Sequence, residues 1–201
     1  MSSVKKYGAT YGVKYSRKLT NGEIQLAQRL YRNSIDYYRI EIHDYPSPTQ
    51  FGVPMQTPND RDIYTYTRPS QSDTVFKQDY SLKPVGSISR YDFIHELAHI
   101  WQNQDGVLVQ KIAVIFENIR TGFNYQNAYP YDLDASKDLL DYSMEQQAAI
   151  LEDYFRILDG TVTRHIKPNN DVALFKKILG KFLKNPRYPM TEMPKRQEQN
   201  R

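Results

Sequence analysis

His95-Glu96-Leu97-Ala98-His99 decides how this chain is read. Two histidines four residues apart on a helix project from one face, where both imidazoles can share a metal ion, and the glutamate between them is placed to act as a general base. Ser89-Arg-Tyr-Asp92 offers a cap just upstream, so the spacing predicts a helix that carries the pair. The expected chemistry is zinc-assisted hydrolysis of a peptide bond, with His95 and His99 as ligands and Glu96 as base.

A catalytic zinc needs a third protein ligand and an open position for water. The chain has no cysteine, so His43, His165 or a carboxylate must serve. The three-histidine pattern H-E-x-x-H-x-x-G-x-x-H fails, because positions 102 and 105 are Gln and Asp. A downstream glutamate must then be considered. Glu145 lies in the first turn of a helix that Ser143-Met-Glu-Gln146 caps, and it is the preferred ligand; Glu152, two turns on and on nearly the same face, is the rival.

Other elements follow from periodicity and breakers. Thr20 and Glu23 form a capping box ahead of Ile24, Ala27, Leu30 and Tyr31, which predicts a first helix over 21–33. Tyr38 to His43 and Asp62 to Thr67 alternate like strands, the proline-rich stretch 45–59 reads as a long loop, and Val75 to Leu82 reads as a further short strand. A third helix is expected from Val107 to Ile119. In the Glu145 helix, Met144, Ala148, Leu151, Phe155 and Leu158 should form a buried stripe that ends near Gly160, and a last helix should cover 171–184. The fold class expected is α+β, mainly helical, with a small N-terminal β-sheet, as one domain over 1–185 and a disordered tail over 186–201.

Composition narrows the function classes. With 201 residues, 39% hydrophobic, and a mean hydropathy of −0.72, the chain is polar but rich enough in apolar side chains to fold. No stretch approaches the roughly 20 apolar residues of a membrane span. The N-terminus has lysines without the apolar run of a signal peptide, so export would need another route. A net charge of +4 is spread along the sequence, which argues against nucleic-acid binding. The 17 tyrosines read as half-buried strand and loop surface.

His95-Glu-Leu-Ala-His99-Ile-Trp-Gln102, with Glu145-Gln-Gln-Ala148 on a later helix, resembles the gluzincin peptidases. In particular it is similar to the metallopeptidase effector domain at the C-terminus of certain VgrG spike proteins of bacterial type VI secretion, over roughly residues 19 to 160. The resemblance implies a minimal zincin-like fold, Zn2+ held by His95, His99 and Glu145, and water activated by Glu96. It also implies a bacterial antibacterial toxin, carried by a secretion apparatus and acting in the periplasm of a target cell. A peptide, protein or peptidoglycan stem peptide would be its substrate, with a cognate immunity protein and a secretion-spike component as partners. One departure stands out: many gluzincins carry an aspartate four residues after the ligand glutamate, where this chain has Ala149, leaving Asp141, Glu152, Asp153 or a backbone carbonyl to orient an imidazole.

Stabilising the developing oxyanion calls for a further donor, for which Tyr125, Tyr129, Tyr131 and His165 are candidates and His165 is favoured as the second catalytic residue. Two other readings compete: a housekeeping or processing peptidase, and a zinc-stabilised adaptor without catalysis. Glu96 argues against the adaptor, since a structural site needs ligands but no base.

Overall fold

The computed structural model describes residues 5–8, 13–45, 55–65, 79–107, 129–166 and 171–192. The chain divides into two compact units, residues 1–100 and 101–201. The expected third helix, beyond its first residue, and Tyr125 lie outside the described residues, as does the first half of the strand expected over Val75 to Leu82.

The first unit holds a five-stranded mixed sheet of order β1-β2-β3-β5-β4. Its strands are β1 (Lys5–Gly8), β2 (Val13–Lys18), β3 (Glu41–His43), β4 (Met55–Gln56) and β5 (Asp62–Thr65). The β3–β5 pair is parallel and the others antiparallel. Ile42 stands opposite Ile63, and both are fully buried, so the apolar positions of the two strands set the register. Strand β3 is shorter than expected, because Tyr37–Arg39 forms a 3-10 turn in which the buried Tyr37 donates its hydroxyl to the Arg32 carbonyl. Tyr80–Leu82 is likewise a 3-10 turn where a strand was expected, closed by the Asp79 carboxylate accepting from Ser81 N.

Helix α1 (Asn21–Tyr31) begins with the capping box read from the sequence and ends two residues early at Arg32, whose φ is 50°. Glu23 does more than cap. Its carboxylate is fully buried, accepts from Thr20 N at 2.8 Å and from Tyr80 N at 3.2 Å, and takes a two-pronged bond from the Arg17 guanidinium at 2.8 Å on each arm. One side chain thus ties β2, α1 and the 3-10 turn together. Gly22 fits the same junction, since a Cβ there would run into the Ser81 side chain.

Helix α2 (Ile88–Gln104) starts one residue before Ser89, which therefore lies inside the helix rather than capping it. Every residue from Phe93 to Gln102 is buried. A helix buried all round accepts polar groups at a cost, so His95, Glu96 and His99 on it call for a functional reason. None of the helices among the described residues is long and apolar enough to cross a membrane.

The second unit is helical. Helix α3 (Met144–Leu158) opens with the Ser143–Gln146 capping box and ends at Gly160, whose φ is +74°. Its burial is wider than the expected stripe: Met144 is half-buried and Leu158 is exposed, while every residue from Gln147 to Arg156 is buried, including Gln147, Glu152, Asp153 and Arg156. The single last helix expected is two, α4 (Val172–Ile178) and α5 (Gly180–Lys184), broken at Leu179 before a glycine. Trp101, on the final turn of α2, packs edge-on against Phe182 with ring centroids 5.2 Å apart and donates its indole N–H to the Pro186 carbonyl at 2.8 Å. Order therefore continues past the expected boundary at 185: Tyr188 is buried, and Pro189 to Glu192 add a helical turn.

Candidate active site

In the first unit, α2 carries His95 and His99 one turn apart. Their rings lie 5.1 Å apart between centroids and nearly perpendicular, at 77°. His95, Glu96 and His99 are 6%, 8% and 7% exposed, so the three sit in a shielded setting that still reaches the surface. The preceding turn is fixed by the Tyr31 hydroxyl donating to the Ile94 carbonyl at 2.8 Å, and by Tyr80 stacked on Phe93 at 4.8 Å. A metal-binding pair needs such rigid support, because ligand geometry tolerates little slack.

His43 is engaged elsewhere in this unit. Its Nε2 is 2.8 Å from Asp62 Oδ1, and its ring stacks on Tyr64 at 4.6 Å. The bond to His43 holds the Asp62 carboxyl below the usual carboxylate range.

In the second unit, Glu145 lies half-buried on the first turn of α3. Two buried amides hold that turn. Gln102 Nε2 donates to the Met144 carbonyl at 2.9 Å and to Gln147 Oε1 at 3.0 Å, and Gln147 Nε2 donates to the Tyr142 carbonyl at 2.8 Å. On the exposed side, Gln146 Nε2 reaches the Pro130 carbonyl at 2.9 Å. The fully buried Ala149 occupies the position where a carboxylate was sought.

Glu152 and His165 form a pair: His165 Nε2 is 2.7 Å from Glu152 Oε2. Arg156 and Arg164 also approach Glu152, at 3.3 and 3.6 Å. Two positive side chains and an imidazole thus surround this buried carboxylate, and it serves as an ion-pair hub for the end of α3. Its neighbour Asp153 accepts from Arg164 N at 2.6 Å, from His165 N at 3.1 Å and from the Tyr131 hydroxyl at 2.7 Å. Burial pushes the Asp153 carboxyl up and the Tyr131 phenol up. Tyr129 stacks on the His165 ring at 5.6 Å. His165 is therefore held at backbone, edge and face. Asp141 closes its own 3-10 turn by accepting from Asp138 N.

Histidine and glutamate side chains suited to a metal ion are thus present: the buried His95 and His99 in the first unit, and the buried Glu152 with the half-buried Glu145 and His165 in the second. Two imidazoles with a carboxylate and no thiolate are a donor set that fits zinc. Asp153 and Tyr131 were candidates in the sequence for other roles, an imidazole partner and an oxyanion donor, but their bond to each other was not foreseen, and Gln147 was not singled out. The only signal for Gln147 was its place in the capped turn beside Glu145.

No family model matches the chain. The type VI secretion system spike protein VgrG2b of Pseudomonas aeruginosa is 34% identical over 141 residues, which is 69% of this chain and 13% of that protein. The chain thus corresponds to a small part of the spike protein. The solved effector domain of P. aeruginosa VgrG2b superposes with a TM-score of 0.56 and 28% identity, covering 83% of this chain and 81% of that one. Sequence and structure agree on one relative, and the chain is homologous to the effector domain of VgrG2b.

Proposed function

We propose that this chain is a zinc-dependent peptidase effector of type VI secretion, acting on peptide bonds in the envelope of a target cell. The observation that carries the reading is the buried His95-Glu96-His99 face of α2, in a chain homologous to a secretion effector domain. His95, His99 and Glu145 are the proposed ligands, the set that the family resemblance implies; Glu152 already serves two arginines.

Zinc bound by these residues would acidify a water molecule and polarise the scissile carbonyl. Glu96 takes the proton from the attacking water and returns it to the departing amine, a task suited to a carboxylate in a shielded setting. His165, held by Glu152 and Asp153, supplies an N–H toward the oxygen that gains negative charge. The proposed substrate is a peptide or the stem peptide of peptidoglycan, and the proposed partners are a spike component and an immunity protein; homology to a secretion effector domain supports the delivery context.

Directing the wild type and Glu96→Ala to the bacterial periplasm tests the reading. The wild type should arrest growth and the variant should not, although both should retain one zinc per chain by metal analysis. Equal growth of the two strains would refute the toxin, and a metal-free wild type would refute the zinc site.

A further inference from the structure

Gln102 lies on the last turn of α2, three residues after His99, and is fully buried. Both hydrogens of its amide are used, one on the Met144 carbonyl and one on Gln147 Oε1. Gln147, also fully buried, spends a hydrogen of its own amide on the Tyr142 carbonyl. From Gln102, one bond thus runs directly to the Met144 carbonyl and a relay of two runs through Gln147 to the Tyr142 carbonyl, on either side of Ser143, the N-cap of α3. Glu145 sits between Met144 and Gln147 and belongs to the turn these bonds fix.

We propose that the Gln102–Gln147 amide pair is a positioning clamp for Glu145, an inference that rests on the zinc reading above. Two helices pack adequately through leucine or methionine, and burying two amides costs more than burying apolar groups of the same size. What the amides add is direction. A fully satisfied buried network admits one arrangement, whereas an apolar contact allows sliding and rotation. A ligand carboxylate needs that restriction, since productive metal geometry is lost over about 0.5 Å. Gln102 and Gln147 both lie in the second unit, so the clamp fixes the first turn of α3 from within that unit.

The test is a zinc competition titration against a chromophoric chelator, using purified wild type, Glu145→Gln, Gln102→Met, Gln147→Met and Phe175→Leu. Methionine keeps the volume of glutamine and removes its hydrogen bonds. Phe175 is fully buried in the same unit, away from the clamp residues in sequence, and serves as the control for general destabilisation. Zinc affinity should fall roughly 10- to 100-fold in Gln102→Met and Gln147→Met, the range typical when a ligand loses its supporting hydrogen bonds. Phe175→Leu should lower the melting temperature of the metal-free protein at least as far and bind zinc like the wild type. Wild-type affinity in Gln102→Met overturns the clamp, as does an equal loss in Phe175→Leu. A wild type that binds no zinc, or a Glu145→Gln variant that binds it unchanged, overturns the zinc reading and the clamp with it.

Discussion

Asp105 should make the folded chain less stable as pH rises from about 4 to 7, and Asp105→Asn should abolish that trend. The residue follows α2 directly and is 3% exposed; among the described residues its Oδ2 has no hydrogen-bond partner. Burial pushes its carboxyl from 3.8 up to about 7, against a smaller opposing pull from Arg187 and Trp101. The folded state thus keeps a proton that the unfolded chain gives up near pH 4, and stability falls with rising pH until the folded carboxyl also ionises. At ~1.4 kcal/mol per pH unit, the cost above pH 7 is capped on the order of 4 kcal/mol. Asparagine is neutral and of the same size. The stability gap between variant and wild type should therefore widen by about 2 kcal/mol between pH 5 and pH 8, with the variant the more stable. Urea unfolding of the metal-free proteins at both pH values measures the gap, and other titrating groups cancel in the difference. A gap of the same size at pH 5 and pH 8 would refute the reasoning, because it would mean that Asp105 ionises no differently in the fold.

Glu23→Ala leaves Arg17 buried without its counter-ion and should cost about 3–5 kcal/mol in urea unfolding, several times the loss of an ordinary cap. Thr20→Ala removes only the cap and should cost about 1 kcal/mol in the same assay. If His165 donates to the oxyanion, His165→Ala should lower kcat on a cleavable peptide by roughly 10²- to 10³-fold with KM little changed; a matching rise in KM instead would assign it to substrate binding. Glu96→Gln should reduce kcat by at least about 10²-fold while leaving zinc content intact, as read by metal analysis of the same samples.

The sequence carried the local features well. Thr20-Glu23 and Ser143-Gln146 announced two helix starts because a capping box is a contract between neighbours three residues apart. The spacing of His95 and His99 announced a shared face for the same reason. What it did not announce depends on partners distant in the chain. Tyr37 turns the chain into a 3-10 segment where alternation suggested strand, because its hydroxyl finds the Arg32 carbonyl. Pro186 looked like the start of a loose tail, but its carbonyl is claimed by an indole 85 residues earlier. Nothing in the sequence pairs Gln102 with Gln147, 45 residues on, and only their burial and shared bond reveal them as a pair. Periodicity reports which side of an element is apolar; it is silent about which polar groups have found each other.

The bond from Trp101 to Pro186 bears on where this chain can be cut. A truncation at residue 185, which a disorder-guided design would favour, removes the acceptor of a buried N–H and uncovers the ring beside Phe182. The harm would arise at the last turn of α2, far along the chain from the cut itself. A fusion or domain exchange that keeps residues through Glu192 leaves that turn sealed, and the safe border for transplanting this unit lies beyond the helical turn at 189–192.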